Sequence, residues 1–158
     1  MNPLQVETPL KDRVAVVTGG NRGIGAAIAR KLASLGAQVV ICGRRQQELD
    51  KAAQAMQHCG GPVVPVVCDI TDLRSVDHLA EVVRKIGRID ILVNNAGLGS
   101  FGGPLHELSP GDWDTVINTN LRAVYYTIRA FAPMMIRQNS GEIVNISSIA
   151  SKNALPNG

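Results

Sequence analysis

The chain has 158 residues, 45% hydrophobic, 18% charged and only 3% aromatic, which suits one soluble globular domain with an aliphatic core. Its net charge of +3 comes from scattered side chains, with Arg44-Arg45 the one adjacent arginine pair, so the clustered basic face of a nucleic-acid binder is absent. No apolar run approaches the ~20 residues of a membrane helix, MNPLQVETPL lacks the apolar centre of a signal peptide, and Cys42, Cys59 and Cys68 form no CxxC pair, so the expectation is a cytoplasmic protein with reduced thiols, no metal and no membrane or nucleic-acid partner.

VAVVT (14–18) is a continuous β-branched run, the mark of a strand covered on both faces. A helix follows over 23–35, with Ile24, Ala27, Ile28, Leu32 and Leu35 on one face and Gly36 as its stop. QVVICG (38–43) is the second strand, and 45–58, rich in Gln, Ala, Glu and Lys, the second helix. PVVPVVCD (62–69) is the third strand. The helix over 72–86 turns Leu73, Val76, Leu79, Ala80, Val83 and Ile86 to one side and ends at Gly87. IDILVNN (89–95) is the fourth strand.

Ser109-Pro110-Gly111-Asp112 is a helix start, with a serine cap, proline at the first position and an early acid. The helix runs over 109–138, with Val116, Asn120, Val124, Ile128 and Phe131 on one face and a bend or end expected at Pro133. Trp113 reads as a packing anchor, and Asn139-Ser140-Gly141 turns the chain into the fifth strand, GEIVNISS (141–148). Alternation of strand and helix predicts an α/β fold, a doubly wound parallel sheet of five strands in a single domain over 1–158.

Thr18-Gly19-Gly20-Asn21-Arg22-Gly23-Ile24-Gly25 joins the first strand to the first helix. Glycines there permit a tight turn and close approach of backbone to ligand, and helix-start N–H groups favour a phosphate. The spacing G-x-x-x-G-x-G lacks the Gly-Lys-Ser/Thr of a P-loop, which argues against phosphoryl transfer.

TGGNRGIG (18–25), Asn94-Asn95-Ala96-Gly97 after the fourth strand, Asn120 in NTNL and the serine of NISS together resemble the short-chain dehydrogenase/reductase family, from about residue 11 onward. The resemblance implies a Rossmann fold with strand order 3-2-1-4-5 and further strands beyond the fifth. It also implies hydride transfer between a nicotinamide cofactor and a small carbonyl or secondary-alcohol substrate, and a homo-oligomer in the full-length form. The loop after NNAG is reminiscent of 3-oxoacyl-carrier-protein reductases, whose substrate is a 3-oxoacyl thioester.

A carboxylate at the end of the second strand selects NAD by binding the ribose hydroxyls. Here Gly43 stands in that place, followed by Arg44 and Arg45, with Arg22 in the glycine loop. Guanidiniums can clamp a 2′-phosphate, so NADP(H) is the expected cofactor; the alternative is that Arg44 and Arg45 are solvated helix-start residues. The expected cofactor-binding set is Thr18, Gly19, Asn21, Arg22, Gly23, Ile24, Gly25, Arg44, Arg45, Asp69, Ile70, Asn95, Ala96 and Gly97. By resemblance Asp69 meets the adenine amino group, although it also reads as a helix cap, and Asn94 is a brace in the sheet.

In the family a tyrosine donates a proton to the carbonyl, a lysine four residues on lowers its pKa, a serine orients the substrate and an asparagine anchors a water. Ser148 matches the serine, with Ser147 as the alternative, and Asn120 matches the asparagine. Ser148 also reads as a strand-end hydroxyl satisfying a turn, and Asn120 as a buried helix amide bonded to a neighbouring strand. Tyr125 and Tyr126 are followed four residues later by Arg129 and Ala130, so they form no Tyr-x-x-x-Lys, and Lys152 is no substitute. The competing expectation is therefore a catalytically incomplete dinucleotide-binding fragment.

Overall fold

A computed structural model describes residues 8–99 and 103–151. Five strands form one parallel sheet in the order β3-β2-β1-β4-β5: β1 Val14–Thr18, β2 Gln38–Gly43, β3 Val63–Val67, β4 Ile91–Asn94 and β5 Glu142–Asn145. Both the strands and their order are as expected. The helices are α1 Gly23–Ser34, α2 Gln46–Met56, α3 Leu73–Ile86, α4 Pro110–Ile117 and α5 Ala123–Arg137.

The sheet is covered on both faces, so β1 is buried at all five positions. On one side Val16, Val40, Cys42 and Leu92 pack with Val76, Leu79, Ala80 and Val83 of α3 and Phe131 of α5. On the other, Ala15, Val17, Val39 and Ile41 pack with Ala29 and Ala33 of α1 and Leu49 and Met56 of α2. Each large aliphatic side chain taken fully from water contributes about 1.5–3 kcal/mol. The proline inside β3, Pro65, is tolerated because β3 is an edge that, among the described residues, pairs only with β2.

Three expectations are corrected. The fully buried side of α1 is Gly25, Ala29 and Ala33, with Ile28 and Leu32 packed partly against the core as expected, but Ile24 is 66% exposed and Ala27 also faces out. Small residues at this spacing let the helix lie close on the sheet, which holds its N-terminus against the strand ends. The long helical stretch does not end at Pro133, which α5 carries on its exposed side, where water can serve the carbonyl that proline leaves unpaired. Its irregularity is instead a π-helical segment over Asn118–Arg122. That segment inserts a residue and turns Ala123, Thr127 and Phe131 inward, while Asn120 is exposed. Trp113 is 48% exposed and anchors no core.

Caps follow the sequence closely. Ser109 Oγ accepts from the Asp112 N–H, and Asp72 caps α3 by accepting from the Arg74 and Ser75 N–H groups. Gly36 and Gly87 end α1 and α3 at φ of 96° and 101°. β5 is exposed at all four positions, with Ile143 and Val144 at 38% and 45%, and its one paired neighbour among the described residues is β4.

At the opposite end of the sheet from the glycine loop, the Asp90 carboxylate ties β4 to β1. It accepts from Arg13 at 2.7 Å, Arg88 at 2.6 Å and the Val14 N–H at 2.9 Å. Burial pushes its pKa up, but the hydrogen bonds from Arg88, Val14 and Arg13 outweigh that and hold the carboxyl below its usual value.

Candidate cofactor and active site

The C-terminal ends of β1 to β4 open into one cavity of about 550 Å³, within the range of small-molecule and cofactor sites. A parallel sheet of this order changes direction between β1 and β4, which leaves a crevice at that point. The cavity wall takes residues from all four strand ends: Gly19 and Asn21 to Gly25, Arg44 and Arg45, Asp69 and Ile70, and Asn95 to Gly97.

The floor is built from backbone held by two side chains. Thr18 is 2% exposed; its Oγ1 accepts from the Asn95 and Ala96 N–H groups, each at 3.0 Å, and donates to the Val93 carbonyl at 3.4 Å. Asn95 returns the bond, its Nδ2 donating to the Thr18 carbonyl at 2.9 Å and reaching the Gly19 carbonyl at 3.5 Å. Thr18 thus locks the β1 loop to the β4 loop from beneath, and it is not on the cavity wall.

Space demands glycine at position 25, and positive φ favours it at positions 19 and 23. A Cβ on Gly25 would lie 2.3 Å from the Gly19 carbonyl oxygen and 2.5 Å from Asn95 Nδ2. Gly19 and Gly23 adopt φ of 63° and 53°, and no atom lies within 4 Å of where a Cβ on Gly23 would be. The α1 N-terminus therefore presents bare backbone to the cavity, a cradle for an anion.

At the rim stand three arginines. Arg45 pairs with Glu48 at 2.7 Å. Glu48 also accepts from Asn21 Nδ2 at 2.9 Å. Among the described residues, the Arg22 and Arg44 guanidiniums have no hydrogen-bond or ion-pair partner, and both are exposed on the cavity wall. Asp69 Oδ1 accepts from the Thr71 N–H and hydroxyl, so it shapes its own turn, while Asp72 does the capping.

Asn120 binds the backbone of Leu98 twice. Its Oδ1 accepts from the Leu98 N–H and its Nδ2 donates to the Leu98 carbonyl, both at 2.9 Å. The amide is thus exposed and bonded to a loop, where burial against a strand was the alternative expectation. Leu98 and Thr119 line the cavity, so Asn120 fixes its edge without forming its wall. Ser148 lies in the loop after β5, its Oγ accepting from the Ala150 N–H at 3.2 Å. Ser147 is exposed in the same loop. Asn94 braces the sheet as expected, donating to Asn145 Oδ1 at 2.8 Å and accepting from the Thr127 hydroxyl at 2.7 Å. Lys152 lies outside the described residues.

The short chain dehydrogenase family model matches residues 13–158. The chain belongs to that family. It is 43% identical over 143 residues to gluconate 5-dehydrogenase of Gluconobacter oxydans, covering 90% of this chain and 56% of that enzyme. Among solved structures it resembles a metagenomic short-chain oxidoreductase in complex with NADP, at 49% identity and TM-score 0.89, over 94% of this chain and 68% of that one. It also resembles NAD+-bound xylitol dehydrogenase, at 32% identity and TM-score 0.88, over 94% of this chain and 57% of that one. The chain spans little more than half the length of the curated enzyme. These relatives do not single out an acyl-carrier thioester as substrate, and they carry both forms of the dinucleotide.

Leu98 opens the 98–105 loop whose sequence suggests a border of the substrate pocket, and it does line the short-chain dehydrogenase cavity; Glu48, Cys68, Thr71 and Thr119 line it too and were not singled out as site residues. Glu48 was visible as the first acid after β2, and Thr119 as the neighbour of Asn120; the others carried no signal. Cys42, buried beneath the cavity, has its thiol pushed well above the ordinary value, first by its hydrogen bond with Cys68 and then by burial, so it stays neutral. All three cysteines are free. No helix of the described residues is long and apolar enough to cross a membrane.

Proposed function

We propose that the chain binds NADP(H) and serves an oxidoreductase that interconverts a carbonyl and a secondary alcohol. The observation that carries the reading is the pair of unpartnered guanidiniums, Arg22 and Arg44, on the wall of a glycine-cradled cavity whose β2 end, Gly43, bears no carboxylate. The cradle fits a dinucleotide: the N–H groups from Gly19 to Gly25 face the pyrophosphate, and Arg22 and Arg44 face the 2′-phosphate. Asp69 and Ile70 border the adenine, and Asn95, Ala96 and Gly97 border the nicotinamide ribose.

When bound, the cofactor supplies or accepts the hydride. The chain's own residues position what reacts. Asn120, clamped to Leu98, holds the edge of the cavity and fixes a water there. Ser148 orients the carbonyl oxygen of the substrate by donating its hydroxyl proton in a hydrogen bond.

Calorimetric titration of the chain with NADPH and with NADH tests the cofactor. NADPH is expected to bind tighter, and Arg22→Gln and Arg44→Gln to weaken NADPH by about tenfold or more each while leaving NADH within about twofold. Equal loss for both cofactors refutes the assignment of these arginines to the 2′-phosphate.

A further inference from the structure

On the reading that the cavity takes NADP(H), we infer that Asn21, held by Glu48, is a specificity-determining residue. Its side chain wedges the slot beside Gly43 and so bars a ribose-binding carboxylate from that position. The chain excludes NAD-type recognition by filling the space as well as by lacking the acid.

The slot is defined by distances. A Cβ built on Gly43 would lie 2.9 Å from Asn21 Oδ1, 3.5 Å from Asn21 Cγ and 3.7 Å from Leu49 Cδ2. The first contact is closer than side-chain carbons normally approach an oxygen. Leu49, fully buried in the α1–α2 layer, closes the other side of the slot at ordinary contact distance. A side chain at position 43 therefore has to displace the Asn21 amide, and the bond from Asn21 to Glu48 resists that displacement.

Asn21 is held in place. Its Nδ2 donates to Glu48 Oε2 at 2.9 Å, while Glu48 Oε1 takes Arg45 at 2.7 Å. The carboxylate bridges the loop after β1 to the start of α2, and the bond to Asn21 is charge-assisted. The same bridge occupies Arg45, which leaves Arg22 and Arg44 as the arms open to a phosphate. An aspartate at position 43 would meet Asn21 and would also add a second negative charge close to Glu48. Expelled from the slot, the Asn21 amide has the cavity mouth to turn into, where the adenosine ribose would sit.

The effect of an acid at position 43 should therefore change sign with residue 21. The probes are 5′-AMP and adenosine 2′,5′-bisphosphate, titrated calorimetrically into the chain and into Gly43→Asp, Asn21→Ala and the double variant. We expect the wild-type chain to prefer the bisphosphate by about tenfold. Gly43→Asp alone should weaken 5′-AMP by about threefold or more. In the Asn21→Ala background the same change should tighten 5′-AMP by about threefold or more, as the carboxylate reaches the ribose hydroxyls.

If Gly43→Asp acts in the same direction in both backgrounds, the inference is overturned and the NADP(H) reading stands. A wild-type chain with no preference for the bisphosphate overturns both. Circular dichroism monitors folding of each variant. If Gly43→Asp does not fold, Gly43→Ala is read instead: it should weaken 5′-AMP by about threefold or more with Asn21 present and leave it within about twofold in the Asn21→Ala background. Equal effects in the two backgrounds overturn the inference.

Discussion

Replacing Thr18 by valine keeps the shape of a buried side chain and removes one hydroxyl. That hydroxyl accepts from two backbone N–H groups, those of Asn95 and Ala96, each at 3.0 Å. Valine leaves both donors without it. An unsatisfied buried donor costs about 1–3 kcal/mol. Asn95 and Ala96 lie on the cavity wall and are half-buried, so water reaches part of the deficit and the low end of the range applies. The sum is about 2–4 kcal/mol, a large share of the roughly 5–15 kcal/mol by which a domain is stable. For a chain of this length each kcal/mol lowers Tm by about 2–4 °C, so Thr18→Val should melt about 5–15 °C below wild type. Serine retains the hydroxyl and loses one methyl, a cost of about 1 kcal/mol. Urea denaturation followed by circular dichroism should rank wild type above Thr18→Ser above Thr18→Val. If valine lies within about 0.5 kcal/mol of wild type, or serine falls below valine, the hydroxyl is not what joins the two loops.

Asp90→Asn removes the carboxylate that two partly exposed guanidiniums share, and should cost about 1–2 kcal/mol at neutral pH. Because the folded carboxyl titrates below its unfolded value, its contribution is complete above that value and fades as pH falls through the folded one. Urea midpoints of wild type and variant should therefore converge on acidification; a gap that stays constant contradicts the assignment. Gly25→Ala places a methyl 2.3 Å from the Gly19 carbonyl oxygen, and should weaken NADPH binding by about tenfold or more and cost about 1–3 kcal/mol, whereas Gly23→Ala, with no neighbour, should cost only the roughly 1–2 kcal/mol strain of its positive φ. Titration calorimetry and urea melts separate the two. Val144→Lys puts a charge on the exposed, one-sided β5 and should reduce concentration-dependent light scattering of the chain; unchanged scattering would mean that this edge does not mediate association.

Much of the architecture was legible because it rests on local rules. The β-branched runs from Val14, Gln38 and Ile91 mark buried strands, and Ser109, Gly36 and Gly87 mark helix ends. The glycine loop and NNAG announced the cavity for a similar reason, since Gly19 and Gly25 answer specific close approaches. The features that local patterns do not carry depend on distance in space. The inward face of α1 departs from the periodicity in part: the pattern favours the large Ile24 with Ala27, while the sheet selects the small Gly25, Ala29 and Ala33 that let it come near. Nothing in NTNLR signals an i→i+5 turn, yet that turn sets the phase of Thr127 and Phe131 and leaves Asn120 free to grip Leu98. The wedge of Asn21 against Gly43 joins residues from different loops, fixed by an acid 27 positions further on, and only the folded chain displays it.

Comparing NADPH with NADH in one calorimetric titration of the chain most directly tests whether the glycine cradle, Arg22 and Arg44 hold a 2′-phosphorylated dinucleotide. The expected result is NADPH tighter by at least about tenfold, with the gap narrowing as salt is added. Equal affinities, or tighter binding of NADH, would contradict it.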